Sequence, residues 1–118
     1  YRCCDIITLH VPLTELTRNM ITRKELDRMR KDVILINNSR GGIVNEQDLH
    51  EWLQCRPEAR AAIDVFEQEP YFGPLRGAKN AFLTPHLGSC SIASRQAMEE
   101  EATRNAMNEA QRLRITNY

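Results

Sequence analysis

The sequence predicts an α/β fold, in which a mostly parallel β-sheet carries flanking helices and a long helix ends the chain. The first observation is that short apolar runs rich in β-branched residues alternate with segments of helical periodicity, in the order β-α-β-α-β-β-α. The second is the run Val33–Ile36, whose consecutive aliphatic residues are typical of a strand covered on both faces. The third is that polar segments follow the runs, at the carboxyl edge where α/β folds place ligands.

The first strand is expected at residues 5–9, directly before the loop His10–Thr14. The pattern at Thr22–Glu25 is that of a capping box and predicts the start of a short helix. On this helix Leu26 and Met29 fall on the same face, so we expect both side chains to point toward the core.

The pattern then repeats after the second strand. Asn45 is the expected cap of a helix on which three apolar residues share one face: Leu49, Trp52 and Leu53. A third strand is expected at 61–65 and a short fourth strand at 81–83, separated by a loop that contains proline and glycine. A long helix is expected at 91–113. Its stripe of small and apolar side chains predicts close packing against another surface: Met98, Ala102, Ala106, Ala110 and Leu113.

Composition and charge narrow the class of protein. With 118 residues the chain has room for one domain and one modest core. Its hydrophobic fraction of 42% and charged fraction of 27% are ordinary for a globular protein. Sixteen basic residues balance sixteen acidic ones, so no net field attracts nucleic acid or an anionic membrane. The apolar runs are far too short to span a membrane, and no secretory signal opens the chain.

The cysteines and the first residues bear on location and completeness. The four cysteines have neither redox-motif nor metal-ligand spacing, which predicts reduced thiols, no metal site and a cytoplasmic protein: Cys3, Cys4, Cys55 and Cys90. The chain opens with Tyr1 and enters its first strand almost at once. We therefore expect it to be a fragment of a longer protein.

Arg40 is the candidate anchor for an anionic substrate. Its guanidinium is a planar, permanently charged fork that matches a carboxylate through two hydrogen bonds. The two glycines that follow, Gly41 and Gly42, allow a sharp turn and leave room for a ligand. From local context alone, a solvated surface arginine is the alternative.

His86 is the candidate general acid–base, because imidazole titrates near neutral pH. Glu69 is the candidate partner that orients the ring and favours its protonated form. The alternatives are a structural histidine and a solvated acidic turn that contains Glu67 and Glu69. His10 and His50 are interpreted as structural, with the backbone of His10 beside a ligand pocket.

Four segments resemble, in order and spacing, the D-isomer-specific 2-hydroxyacid dehydrogenases. They are Leu9–Arg18, Asn38–Gly42, Asp64–Pro70 and Pro85–Gly88. The resemblance covers almost the whole chain, and it implies part of a doubly wound, Rossmann-type sheet.

The resemblance also implies roles for individual residues. Arg40 would bind the substrate carboxylate and carbonyl, His86 would donate the proton, and Glu69 would pair with His86. Asp64 would hold the carboxamide of a nicotinamide, a partner that would offset the cost of a carboxylate at the end of an apolar strand. The remaining implied cofactor contacts are Val11, Pro12, Thr17, Asn38, Ser39, Gly88 and Ser89.

The activity implied by this family is hydride transfer between NAD(H) and a small D-2-hydroxy acid or 2-keto acid. The residue that would read the cofactor ribose is not in the chain, so NADP is not excluded, and the identity of the acid stays open. An open sheet edge would favour a homo-oligomer.

One feature of that family is not found in the sequence. The five glycines contain no G-x-G-x-x-G turn for binding phosphate. We therefore expect residues 1–118 to be the second half of a dinucleotide-binding domain, with the helix 91–113 returning toward a separate substrate domain. The isolated chain is expected to be inactive. The alternative is a non-catalytic fragment, or a binding module that keeps the fold without turnover.

Overall fold

Four parallel strands form one sheet in the computed structural model, which describes residues 1–112. The strands lie in sequence order across the sheet: β1 (Ile6–Leu9), β2 (Ile34–Asn37), β3 (Arg60–Ile63) and β4 (Ala81–Leu83). Every strand pairing is parallel, as the alternating pattern predicts. The sheet belongs to a compact unit of residues 1–86, and a second unit begins at Leu87.

The register aligns the carboxyl ends of the four strands. Leu9 is opposite Asn37, Asn37 is opposite Ile63, and Ile63 is opposite Leu83. The segments that leave these strands therefore begin side by side along one edge. The predicted substrate and acid–base residues of the first unit all follow this edge.

Two short helices connect the first three strands. Helix α1 (Arg23–Leu26) begins at the predicted capping box, where the Glu25 carboxylate accepts from the Thr22 backbone N–H (3.1 Å) and hydroxyl (2.6 Å). Helix α2 (Glu46–Gln54) begins after Asn45, whose Oδ1 accepts from the Asp48 N–H at 3.0 Å. Both predicted helix starts are confirmed.

The core lies between these helices and one face of the sheet. The helix residues predicted to point inward are all buried: Leu26, Met29, Leu49, Trp52 and Leu53. From the sheet, Leu35 and Ile63 join the same cluster, and Leu75 of a short 3₁₀-helix (Pro74–Gly77) completes it beside α2. Burial of this apolar surface is the main stabilising contribution to the fold.

The prediction that the sheet is covered on both faces is not met by the described residues. Ile34 and Ile36 are only half-buried, while Ile6 and Phe82 keep 57% and 70% of their surface exposed. The strands advance in one direction across the sheet, and right-handed connections then place every connecting segment on the same side. The four consecutive aliphatic residues could not reveal this, because they fit a strand with one or two covered faces.

The second unit contains helix α3 (Ile92–Arg112), close to the predicted 91–113. None of its described residues is buried, and the close packing predicted for its alanine stripe stays a prediction. Leu113, also assigned to that stripe, lies outside the described residues. In the part of the chain that the structure describes, no helix combines the length and the apolar character needed to cross a membrane.

Candidate active site

Asn37, the last residue of β2, shapes the turn that carries Arg40. Its side chain is buried, with 1% of the residue exposed. Nδ2 donates to the Arg40 carbonyl oxygen (3.1 Å), while Oδ1 accepts from the backbone N–H (3.2 Å) and the hydroxyl (3.0 Å) of Ser39. The exposed Arg40 side chain extends from this fixed turn, and its Nη1 donates to the Ser39 carbonyl oxygen at 2.6 Å.

Gly41 brings this turn into direct contact with the loop that follows β3. A Cβ atom on Gly41 would lie 1.9 Å from the Phe66 carbonyl oxygen and 2.5 Å from the Glu67 nitrogen. Both are backbone atoms, so only glycine permits this approach. Gly42 is needed for a different reason, since its φ of 77° is in the left-handed region while the nearest atom to an added Cβ is 3.5 Å away.

We expect Gly41→Ala to lower the free energy of unfolding by about 3 kcal/mol, because two backbones must separate. Gly42→Ala is the matched control and should cost about 1–2 kcal/mol, the strain of a left-handed alanine. Denaturant unfolding of the protein expressed from its complete reading frame measures both. Equal stability of the two variants would contradict the close approach at Gly41.

Glu69 and His86 form a hydrogen-bonded pair across the carboxyl edge. Nδ1 of His86 lies 2.9 Å from Oε2 of Glu69, while Oε1 of Glu69 accepts from the Phe66 N–H at 3.0 Å. The bond to His86, followed by the bond from the Phe66 N–H, lowers the pKa of the Glu69 carboxyl. The carboxylate form is therefore favoured beside the imidazole, in the arrangement that orients a general acid–base.

The backbone of His86 adopts a left-handed conformation, with φ of 55°. Few residues other than glycine do so, and such strain is commonly found where a side chain must be aimed at a site. Pro85 precedes it and fixes its own φ, which restricts the approach to this turn.

A cavity of about 380 Å³ brings the three predicted catalytic residues together. Arg40, Glu69 and His86 all line it, with Arg18 and Glu67 on its wall. Arg18 Nη1 lies 3.6 Å from Oε1 of Glu67, so a second arginine contributes to this cavity. The cavity combines a forked cation with a carboxylate-paired imidazole, which suits a small anion whose reaction includes proton transfer.

A neighbouring cavity of about 350 Å³ contains four of the predicted cofactor-binding residues: Val11, Pro12, Asn38 and Ser39. Arg40 lines this cavity as well as the first, and so joins the two. His10 also lines it, and its Nε2 lies 2.9 Å from the Thr8 hydroxyl. A mixed apolar and polar lining at the carboxyl edge fits a nucleotide group next to the arginine.

The other predicted cofactor contacts are placed differently. Asp64, just beyond β3, accepts a hydrogen bond from the Thr84 hydroxyl across the strand ends. Thr17 forms a hydrogen bond within its own loop, where its hydroxyl donates to the Pro12 carbonyl oxygen at 2.7 Å. Gly88 and Ser89 are exposed in a turn of the second unit.

Sequence reasoning missed three residues of this region. Asn37 is not among the predicted site residues, although it is the buried polar residue that organises the Arg40 turn. Thr84 and Arg18 are also not among the predicted site residues, yet Thr84 donates to Asp64 and Arg18 lines the cavity beside Arg40. A polar residue that ends a run of aliphatic residues was the available signal for Asn37.

The chain resembles known proteins over most of its length. Residues 1–88 match the model of the family described as D-isomer specific 2-hydroxyacid dehydrogenase, NAD binding domain. A glyoxylate reductase of Thermococcus litoralis is 45% identical over 102 residues, which cover 86% of this chain and 31% of that protein.

Solved structures give the same result. A glyoxylate reductase from Paecilomyes thermophila has a TM-score of 0.81 at 32% identity, over 90% of this chain and 32% of its own. A D-lactate dehydrogenase with NAD+ from Lactobacillus jensenii has a TM-score of 0.79 at 32% identity, over 91% of this chain and 37% of its own. The chain spans about a third of the length of these relatives. It belongs to the D-isomer-specific 2-hydroxyacid dehydrogenase family, whose NAD-binding domain residues 1–88 match.

Proposed function

We propose that the protein to which this chain belongs transfers a hydride between NAD(H) and a small D-2-hydroxy acid or 2-keto acid. One observation carries the proposal: the His86–Glu69 pair, joined at 2.9 Å, lines the same cavity as Arg40. A 2-keto acid carries a carboxylate and a carbonyl on adjacent carbons, and it gains a proton on oxygen when it is reduced. A forked cation and an acid beside one cavity meet both requirements.

Arg40 is proposed to bind the substrate carboxylate and to polarise the carbonyl. A guanidinium has five N–H donors in a plane, and within the described residues its Nη1 donates to the Ser39 carbonyl oxygen. The Asn37 hydrogen bonds hold the turn from which Arg40 extends. This rigidity supports a role in orienting the substrate, since orientation is a large part of catalysis.

His86 is proposed to place a proton on the oxygen that becomes the hydroxyl, and to remove that proton in the reverse direction. Glu69 would hold the ring through Nδ1, and Nε2 is proposed as the nitrogen that exchanges the proton with the substrate. The bond to His86 and the bond from the Phe66 N–H both lower the pKa of the Glu69 carboxyl, which favours the carboxylate form beside the ring.

NAD is proposed as the cofactor, and it supplies the hydride donor or acceptor when bound. The lining of the smaller cavity supports this assignment, because four predicted contacts lie there together. Asp64 would accept from the nicotinamide carboxamide next to Thr84. The complete set of proposed contacts is Val11, Pro12, Thr17, Asn38, Ser39, Asp64, Gly88 and Ser89.

The test uses the protein expressed from its complete reading frame. Relatives are named glyoxylate reductase and hydroxypyruvate reductase, so glyoxylate and hydroxypyruvate are the first substrates to assay, with NADH oxidation as the signal. We expect turnover with these acids, and oxidation of D-glycerate in preference to L-glycerate. Parallel titrations with NADH and NADPH decide the cofactor. Absence of turnover with every 2-keto acid, or a preference for the L-isomer, would overturn the proposal.

Three further assignments are also proposals. Residues 1–118 are assigned to the second half of a dinucleotide-binding domain. This assignment is tested by the length of the complete reading frame and by the order of the segments it encodes. The protein is assigned to the cytoplasm, which the exposed free thiols Cys3 and Cys4 support. A homo-oligomer is favoured by the exposed apolar residues Ile6 and Phe82 of the sheet. Cell fractionation and sedimentation test these last two assignments.

A further inference from the structure

We propose that Glu46 is a positioning residue, whose carboxylate holds the Asp64–Pro70 loop so that Glu69 meets His86. The proposal rests on the function proposed above, in which the Glu69–His86 pair handles the proton. It assigns a role in that reaction to a residue on helix α2, outside the cavities that Arg40 and His86 line.

The position of the Glu69 carboxylate depends on the backbone of its own loop. One oxygen accepts from the Phe66 N–H at 3.0 Å and the other lies 2.9 Å from His86 Nδ1. A shift of the backbone at residues 66–67 would therefore move the carboxylate relative to the imidazole.

Glu46 bonds directly to that part of the loop. Its Oε1 accepts from the Glu67 backbone N–H at 2.8 Å, across 21 residues of sequence. On the other side, Gly41 packs against the Phe66 carbonyl. The loop is thus held between the Arg40 turn and the start of α2.

The position of Glu46 on α2 suits it to restrain the loop. It is the first residue of α2, directly after the Asn45 cap, and it is half-buried. Burial raises the pKa of its carboxyl, the Glu67 N–H lowers it, and the nearby Glu67 carboxylate raises it. A partly buried carboxylate next to another acid is unfavourable unless its contacts offset the cost, and the bond to the loop is such a contact.

The competing explanation for Glu46 is a helix-charge role, because a negative charge stabilises the start of a helix. Two variants separate the roles. Glu46→Gln keeps an oxygen at the same reach but loses the charge. Glu46→Asp keeps the charge at the start of α2 but is one methylene too short to hold the Glu67 N–H in the same way.

The experiment measures kcat, the KM for glyoxylate and NADH affinity on the complete protein. With Glu46→Gln we expect a kcat within about twofold of the parent. With Glu46→Asp we expect kcat to fall about 10-fold or more, since small misplacements of a catalytic group are costly. NADH affinity should change little in either variant. The reverse order, with Gln impaired and Asp active, would overturn the proposal in favour of a helix-charge role.

A double variant tests the route through Glu69. If Glu46 acts through the carboxylate of Glu69, Glu46→Asp should have less than a twofold further effect on kcat in a Glu69→Ala background. Multiplicative losses would overturn the proposal.

A second measurement does not depend on activity. Amide hydrogen exchange at Phe66 and Glu67 should accelerate at least tenfold in Glu46→Asp and not in Glu46→Gln, while α2 remains protected. Unchanged exchange in Glu46→Asp would show that the hydrogen bond from the Glu67 N–H to Glu46 does not hold the loop in place. If the exchange effect is seen but the protein reduces no keto acid, the role of Glu46 in holding the loop stands. The proposed function is then refuted instead.

Discussion

His86→Ala is expected to lower kcat for 2-keto acid reduction by about 10²–10⁴-fold, the usual cost of losing a general acid. The proton is needed when negative charge develops on the substrate oxygen, and not when the cofactor binds. NADH affinity should therefore change by less than about tenfold, or 1.4 kcal/mol. Turnover measured beside a fluorescence titration with NADH makes the comparison, in the protein from its complete reading frame.

The left-handed backbone of His86 calls for a second variant at this position. Alanine at a φ of 55° is strained, whereas asparagine tolerates that region. His86→Asn should therefore be as slow as His86→Ala while retaining more stability. His50→Ala, on α2, is the control and should keep the parent kcat. An active His86→Asn variant would show that the proton comes from another group.

Arg40→Lys is expected to lower kcat/KM by about 10- to 100-fold, although the charge is kept. Lysine presents a point charge on a flexible stem, and it cannot hold a carboxylate and a carbonyl in one plane. Loss of one charge-assisted hydrogen bond costs about 1.5–3 kcal/mol, which corresponds to that range. Steady-state kinetics with glyoxylate provide the measurement.

The matched control for this change is Arg60→Lys. Arg60 is exposed at the amino end of β3, away from the carboxyl edge that holds the candidate site. It should leave kcat/KM unchanged. An Arg40→Lys enzyme within about threefold of the parent, under ~0.7 kcal/mol of transition-state stabilisation, would refute the substrate role of Arg40.

Local patterns predicted the elements of this fold well. The Thr22–Glu25 box and the Asn45 cap mark helix starts because they depend on residues three apart in sequence. The four strands appear within two residues of their expected limits, since aliphatic runs followed by turn residues define them locally. The family resemblance was confirmed by comparison, while the roles of the site residues stay predictions.

Long-range features could not be read from the sequence in the same way. The bond from the Glu67 N–H to Glu46 joins residues on separate elements, and it exists only once α2 has packed beside the sheet. Asn37 bonds to the Arg40 carbonyl oxygen only because the turn after β2 brings that oxygen back to its side chain. In the unit of residues 1–86, the connecting segments cover one face of the sheet because of the handedness of successive connections, which no individual strand encodes.

Strand β4 has three residues, and among those the structure describes it pairs with β3 alone. The next residues, Thr84 and His86, supply partners for Asp64 and Glu69. Trp52, in contrast, is fully buried in the core, and it is the single tryptophan of the chain. On warming, the edge strand should therefore separate before the core melts, and catalysis should fail while the environment of Trp52 is still native. Fluorine NMR of a labelled Trp52, followed beside residual activity, would resolve the two transitions. On the function proposed above, we thus expect β4, the shortest described strand, to set the temperature at which turnover stops.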